Sequence, residues 1–335
     1  MTKKCTGCGA TLQSTNSNNV GYIPAEKYEL ANYCERCFKI THYNSPIIVP
    51  LENINDKLIT ELNKTAKYTF FLVDFLNINK ETINTFKSLK VPKTLVISKI
   101  DIIPKSIKEN TITKWLKREY QLTDNIIYLS SIKNKNVNAI FDVCQKNNCN
   151  EAFIAGFTNA GKSTLINNLS IKNNLTNNVI TTSLIPNTTL DFIKIKLNDN
   201  LTIIDTPGFT LKNTLYDENE IALIKNSLPK KTIKPVTYQT KDITNIILEN
   251  RIRINPNSFN SMTFYLSNSI KIERIFNTNN RLTDKNLIEF DIPANSDLVI
   301  IGLGFINIKK ACHLKIYSNK KDLFEIRNSM FNQII

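Results

Sequence analysis

No stretch of the sequence approaches the roughly twenty consecutive apolar residues of a membrane-spanning helix, which argues against a helical membrane protein. An apolar signal core is missing too, since Met-Thr-Lys-Lys runs straight into Cys5. The expectation is a cytoplasmic chain whose cysteines are reduced or metal-bound. Arginine is scarce, with seven residues among 43 basic ones. This tempers the net charge of +14 as a sign of a nucleic-acid partner, because Lys, Asn and Ile are all abundant and AT-rich codon usage produces that bias unaided. A polyanionic partner is still the first expectation from charge. Cys144, Cys149 and Cys312 lack any paired spacing and read as ordinary core or surface residues.

What is present suffices for two or three domains, with 335 residues of which 41% are apolar. Residues 1–45 hold Cys5-x2-Cys8 and Cys34-x2-Cys37 in a polar setting. Two such pairs can place four thiolates on one tetrahedral Zn²⁺, and in so short a module the metal would supply most of the folding energy. Disulfides are the competing reading. His42 lies nearby, but four thiolates already complete the shell, so it is read as non-ligating. A closed site of this kind is structural and presents a surface.

From residue 66 onward, strand and helix patterns alternate. Strands are expected at 68–74, 93–98, 126–129, 152–155, 191–197 and 201–204, with helices near 79–90, 106–120, 136–147 and after the fourth strand. Such alternation predicts an α/β fold, a mostly parallel sheet of six strands covered on both faces. From about 226 to 335 the runs are short and β-type, such as 261–266, 298–301 and 305–308, and predict a smaller β-rich or α+β domain. Arg251 and Arg253 alternate there on a possible strand, where they either contact phosphates or form a solvated face.

The fourth strand ends in Gly156-x4-Gly161-Lys162-Ser163 and passes into helical spacing at Thr164. This is a phosphate-binding loop in its expected strand–loop–helix context, spanning Gly156, Asn159, Ala160, Gly161, Lys162, Ser163 and Thr164. The glycines let the backbone wrap an anion, and the helix N-terminus aims N–H groups at it. Lys162 reaches the β- and γ-phosphates, and the Ser163 hydroxyl ligates Mg²⁺.

Three further motifs assign the base. Ser98-Lys99-Ile100-Asp101 follows the second strand, at the carboxyl end where α/β sheets bind ligands. Asp101 can accept both the ring N–H and the exocyclic amine of guanine, a donor pair that adenine lacks. The Lys99 stem covers the base, and Ser98 replaces the more usual Asn. Ser130-Ser131 ends the third strand and suits the loop that packs on the guanine carbonyl. Asp205-Thr-Pro-Gly208 ends the sixth strand, where Asp205 holds Mg²⁺ through water and the Gly208 N–H senses the γ-phosphate. Between loop and strand, 181–189 is a polar stretch suited to a switch, with Thr189, or else Thr188, as its Mg²⁺ ligand.

These are all the parts of a GTPase in an unusual order, the base motifs preceding the phosphate loop. Joining the usual ends and cutting after the third strand gives the observed order, a circular permutation of the kind domains tolerate. The sensing loop 205–208 then leads directly into the C-terminal region. With CxGCG at 5–9, CxRCF at 34–38, HYN at 42–44, GFTNAGKST at 156–164, PNTTLD at 186–191 and DTPG at 205–208, the chain resembles the YqeH family of circularly permuted GTPases. Residues 227–235 and 301–305 also look like that family. Asn187, where the family usually has Gly, and Ser98 depart from it.

The resemblance implies a circularly permuted Ras-like domain over 46–225, between a zinc module at 1–45 and a C-terminal domain for RNA or protein recognition at 226–335. It implies a GTP-hydrolysing factor using GTP/GDP and Mg²⁺ that acts in assembly of the small ribosomal subunit, with precursor rRNA and ribosomal proteins as partners. Phe209 stands where many GTPases keep a catalytic Gln, implying slow intrinsic turnover. Asn159 matches the Asn that in related GTPases ligates a catalytic K⁺, with a switch-pinning hydrogen bond as the alternative role. Lys162, Thr189 and Gly208 complete the expected catalytic set. The rival is a nucleic-acid-binding zinc adaptor whose nucleotide site is structural and does not cycle. A GTPase serving RNA modification or a membrane is a further rival; the lack of an amphipathic or spanning segment disfavours the membrane version.

Overall fold

The structure is a computed structural model that describes residues 3, 5, 11–15, 21–35, 54–172, 192–215, 220–276, 282 and 284–331. Contacts divide the chain into two units that do not follow its linear order. One comprises 1–72, 89–94 and 134–210, and the other 73–88, 95–133 and 211–335.

The six expected strands are β1 (Tyr68–Asp74), β2 (Lys93–Ser98), β3 (Asn125–Tyr128), β4 (Glu151–Gly156), β5 (Ile193–Asn198) and β6 (Leu201–Asp205), in the order β3-β2-β1-β4-β6-β5. β4 lies parallel to β1 and to β6, while β5 and β6 form an antiparallel hairpin. All seven residues of β1 are buried, as a parallel strand covered on both faces requires. β5 is half-exposed, because only its alternate residues Ile195 and Leu197 turn inward. The expected helices appear as α2 (Lys80–Ser88), α3 (Glu109–Tyr120), α4 (Ala139–Lys146) and α5 (Lys162–Lys172). An additional helix precedes β1, α1 (Ile54–Thr65), which buries Leu58 and Leu62 one turn apart.

In the first unit, Glu151 at the start of β4 pairs with Lys67, before β1, and with Lys194 of β5 at 2.7 Å. Burial pushes this carboxyl up, but the two ammonium groups outweigh it and hold it below the usual range.

In the second unit, the short helix α6 (Ile221–Ser227) precedes ten strands. β7 (Val236–Thr240), β10 (Asn260–Leu266), β13 (Ser296–Ile300), β14 (Gly304–Ile308) and β16 (Phe324–Asn328) form one five-stranded sheet, ordered β16-β13-β14-β10-β7. β8 (Thr244–Leu248), β9 (Ile252–Asn255), β11 (Ile272–Phe276), β12 (Leu287–Ile292) and β15 (Cys312–Tyr317) form the other, ordered β11-β8-β9-β15-β12. Their inward residues share one apolar core, with Ile246, Ile254 and Leu314 from one sheet and Met262, Phe264 and Ile306 from the other. The C-terminal region is therefore a sandwich of two sheets.

That sandwich is bound to α3 and to the turn after β1. The indole N–H of Trp115 donates to the Asn328 carbonyl at 2.9 Å, and Phe75 meets Phe305 edge-on at 5.7 Å. Arg327, only 5% exposed, donates to the Ile78 carbonyl and to Asp297 (3.4 Å), and lies over the rings of Trp115 and Phe305. Asp297 is fully buried and also accepts from Asn307 and from the Met330 N–H. Burial pushes its carboxyl up, and Arg327 and the hydrogen bonds oppose that shift.

Candidate nucleotide site

The phosphate loop lies in the first unit, where β4 hands over to α5. Gly156 has φ +144°, and a Cβ there would fall 2.4 Å from the Leu72 carbonyl oxygen in the neighbouring strand. Only glycine lets the backbone turn this close to β1. Asn159 and Gly161 also take positive φ, curling the loop back on itself before the first turn of α5. Leu165 N–H donates to the Gly161 carbonyl, so helical bonding begins as the loop ends. Ser163 is exposed in that first turn, Ala160 is buried and Thr164 half-buried. The Lys162 ammonium reaches back across the loop and donates to the carbonyls of Gly156 (2.9 Å) and Phe157 (3.2 Å).

The Asp205–Gly208 segment packs on this loop within the same unit. Asp205 is in register with Ile154, and the Thr206 hydroxyl donates to the Ile154 carbonyl at 3.2 Å. A Cβ at Gly208 would lie 2.9 Å from Thr158 Oγ1 and 3.1 Å from Lys162 Nζ, so Gly208 sits directly against the loop's lysine. The next residue locks the two segments as a parallel bridge. Phe209 N–H donates to the Gly156 carbonyl, and Thr158 N–H donates to the Phe209 carbonyl at 2.7 Å. The Phe209 ring is fully buried among Phe71 and Phe157, with centroids 5.4 and 5.7 Å away. It therefore serves the core. The loop then leaves through Thr210, whose N–H and carbonyl pair with the Asn55 side-chain amide at 3.0 and 2.8 Å. Asn55, at the start of α1, carries no motif and was not foreseen from the sequence.

The base motif belongs to the second unit. Ser98 is buried at the end of β2, and Lys99 adopts a left-handed conformation (φ 55°) with its ammonium 3.8 Å from Asp74. The turn that follows aligns Asp101, whose carboxylate accepts the Ser130 hydroxyl. Ser130 also accepts the Lys133 N–H, so the two expected loops meet through one hydroxyl, with Ser131 buried beside it. The main chain here is braced by the segment ahead of β7. The Thr232 hydroxyl donates to the Asp101 carbonyl at 2.9 Å, and Ile233 N–H to the Ile102 carbonyl at 2.8 Å. Thr232 in turn accepts from Asn268 in the turn between β10 and β11. These braces span 131 residues of sequence and leave no local signal.

Thr188 and Thr189 of the switch lie outside the described residues, as do Cys8, Cys37 and His42. Of the four cysteines expected to ligate zinc, Cys5 and Cys34 are both buried, and Cys34 N–H donates to the Cys5 sulfur at 3.1 Å. Among the described residues no group of three or more His, Cys, Asp or Glu side chains is arranged to hold a metal. Cys144 is buried beside Cys149, and burial raises its thiol. Arg251 pairs with Glu220, while Arg253 bonds Asn245 and lies over Tyr317, so both arginines have partners within the chain. No helix among the described residues is long and apolar enough to cross a membrane.

The sequence is 30% identical over 305 residues to the uncharacterized protein YqeH of Bacillus subtilis, covering 88% of this chain and 83% of that one. The chain belongs to the YqeH family of circularly permuted GTPases. A family model described as "50S ribosome-binding GTPase" matches residues 151–260, the span from phosphate loop into the sandwich. NO-associated protein 1 of Arabidopsis thaliana is 24% identical over 308 residues, 80% of this chain and 54% of that one. The crystal structure of YjeQ from Thermotoga maritima overlaps 43% of this chain and 48% of its own with a TM-score of 0.31 and 18% identity. YqeH-family membership makes the chain a P-loop GTPase, with GTP, GDP and Mg²⁺ as the ligands it implies.

Proposed function

We propose that this YqeH-family chain is a cytoplasmic, slowly cycling GTP switch that grips precursors of the small ribosomal subunit through its N-terminal module and C-terminal sandwich. The packing of Gly208 onto Thr158 and Lys162 carries the switch reading. Because Phe209 follows Gly208 directly and is bridged to the loop, a displacement of the 205–208 segment on phosphate loss must move Phe209 and that bridge. In the first unit the 156–164 loop is the element for the phosphates, and in the second Asp101, with Lys99, Ser98, Ser130 and Ser131, is the element for the guanine. Ser163, Thr189 and, through water, Asp205 would hold Mg²⁺, which would offset the negative charge of the β- and γ-phosphate oxygens as the γ-phosphoryl group passes to water and GDP departs. Burial of Phe209 leaves the attacking water without a side-chain amide at that position, which supports slow intrinsic turnover. Asn159 is then the residue for a K⁺ ion that neutralises developing charge. The buried thiols of Cys5 and Cys34 are two of four Zn²⁺ ligands, with Cys8 and Cys37.

One preparation tests the set. The purified chain is expected to carry one zinc by elemental analysis and to hydrolyse GTP several-fold faster in potassium than in sodium chloride. It should co-sediment with small subunits in a GTP-analogue-dependent way. Large subunits form the comparison arm, because the matching family description names the 50S particle. Equal rates in both salts remove the K⁺ role, and equal binding in all nucleotide states favours the non-cycling adaptor. Turnover with binding to neither subunit discards the ribosome.

A further inference from the structure

The charge of the C-terminal region is unremarkable in sum but uneven in place. Between Ile221 and Lys241 there are five lysines and no Asp or Glu. All five, Lys225, Lys230, Lys231, Lys234 and Lys241, are exposed, and among the described residues none enters a salt bridge. This run leads along the linker into β7, an edge strand whose neighbour in the sheet is β10. The other sheet ends at β11, also an edge.

Between these edges the sandwich opens into a groove of about 290 Å³, lined by Lys234, Val236, Tyr238, Phe264, Ile270 and Ile272. That is close to the smallest volumes typical of ligand pockets, about 300 Å³. At its rim the Arg274 guanidinium, itself exposed, lies over the rings of Tyr238 (5.4 Å) and Phe276 (5.1 Å). Phe276 is 55% exposed and Val236 39%. An apolar mouth with a planar cation, an exposed aromatic ring and a row of unpaired lysines matches the two needs of an unpaired polynucleotide. Its bases want flat faces to stack on, and its phosphates want cations along the track. A duplex has its bases already stacked and would use the lysines alone.

We propose that the groove between β7 and β11 binds a single-stranded RNA segment. Bases stack at Tyr238, Arg274 and Phe276, and phosphates run along Lys230, Lys231 and Lys234. That the strand is RNA rests on the assembly reading above. The site is stitched to the base motif, because Thr232, within the lysine run, holds the Asp101 carbonyl and Asn268 holds Thr232.

The test uses the full chain and fluorescence anisotropy with a short labelled single-stranded RNA of mixed sequence, its duplex and the matching DNA. Lys234→Glu with Arg274→Glu is expected to weaken single-strand binding at least tenfold, and Phe276→Ala about tenfold at one stacked base. Lys114→Glu with Lys117→Glu, the same charge change on the exposed face of α3, should alter it less than about twofold. Duplex affinity should be insensitive to Phe276→Ala. Equal loss from both charge reversals would reduce the effect to bulk charge and overturn the site. Indifference to Phe276→Ala would overturn it too and leave the open edge of β7 for an added peptide strand. Tighter binding of the DNA would refute RNA as the occupant. GTP turnover on the same samples reports separately on the switch.

Discussion

Alanine at position 156 is expected to destabilise the chain by on the order of 2–6 kcal/mol and to abolish nucleotide binding. Two independent costs combine. The φ of +144° lies where essentially only glycine resides, a strain of about 1–3 kcal/mol for another residue. The added Cβ also meets the Leu72 backbone, at 2.4 Å from its oxygen and 2.9 Å from its nitrogen, and overpacking of that kind costs a further 1–3 kcal/mol or so. Neither atom belongs to a side chain that can swing away, so β1 and β4 must part at Leu72–Gly156. Urea denaturation of Gly156→Ala measures the cost. Gly208→Ala is the contrast, since its new Cβ meets the ends of the Thr158 and Lys162 side chains. It should unfold close to the wild-type midpoint while losing preference for GTP over GDP. A Gly156→Ala protein as stable as wild type would refute the close approach.

Arg327→Met is expected to cost about 3–5 kcal/mol, because it strands Asp297 without a countercharge in a fully buried position. The loss arises from what is left behind more than from the pair itself. Adding Asp297→Asn should therefore recover a large part of it, the amide still accepting from Met330 N–H. Both variants are read by chemical denaturation at neutral pH. If the double variant is no more stable than the single one, the buried charge is not the source of the loss.

The α/β half of the fold was legible because β2, β3, β4 and β6 each closed on a motif whose chemistry fixes its place. Gly156, Asp205 and Asp101 all stand at or just beyond strand ends. The sandwich was less legible. β8 is buried on both faces and shows no alternation, β7 is polar and largely exposed, and β16 carries Arg327, a charge that a burial pattern assigns to solvent. α1 escaped notice because its apolar face amounts to a few positions in a polar stretch. In the site, the residue types expected to meet phosphate, metal and guanine stood out in the sequence, since few side chains do that work. The residues that hold them did not. Asn55 and Thr232 act through bonds to main-chain atoms 155 and 131 residues away, and such bonds have no spacing to detect. Phe209 follows Gly208 in the sequence, but only packing reveals that its ring points into the core.

The contact between Trp115 and the last strand has a practical side. This indole is the single tryptophan of the chain, so all tryptophan emission comes from one spot. That spot is where Asn328 accepts the indole N–H and the Arg327 guanidinium covers the ring. Peeling β16 from α3 would remove both partners and let in water. The colour and intensity of the emission therefore follow that single event in untagged protein, during unfolding or on a particle, with no label added.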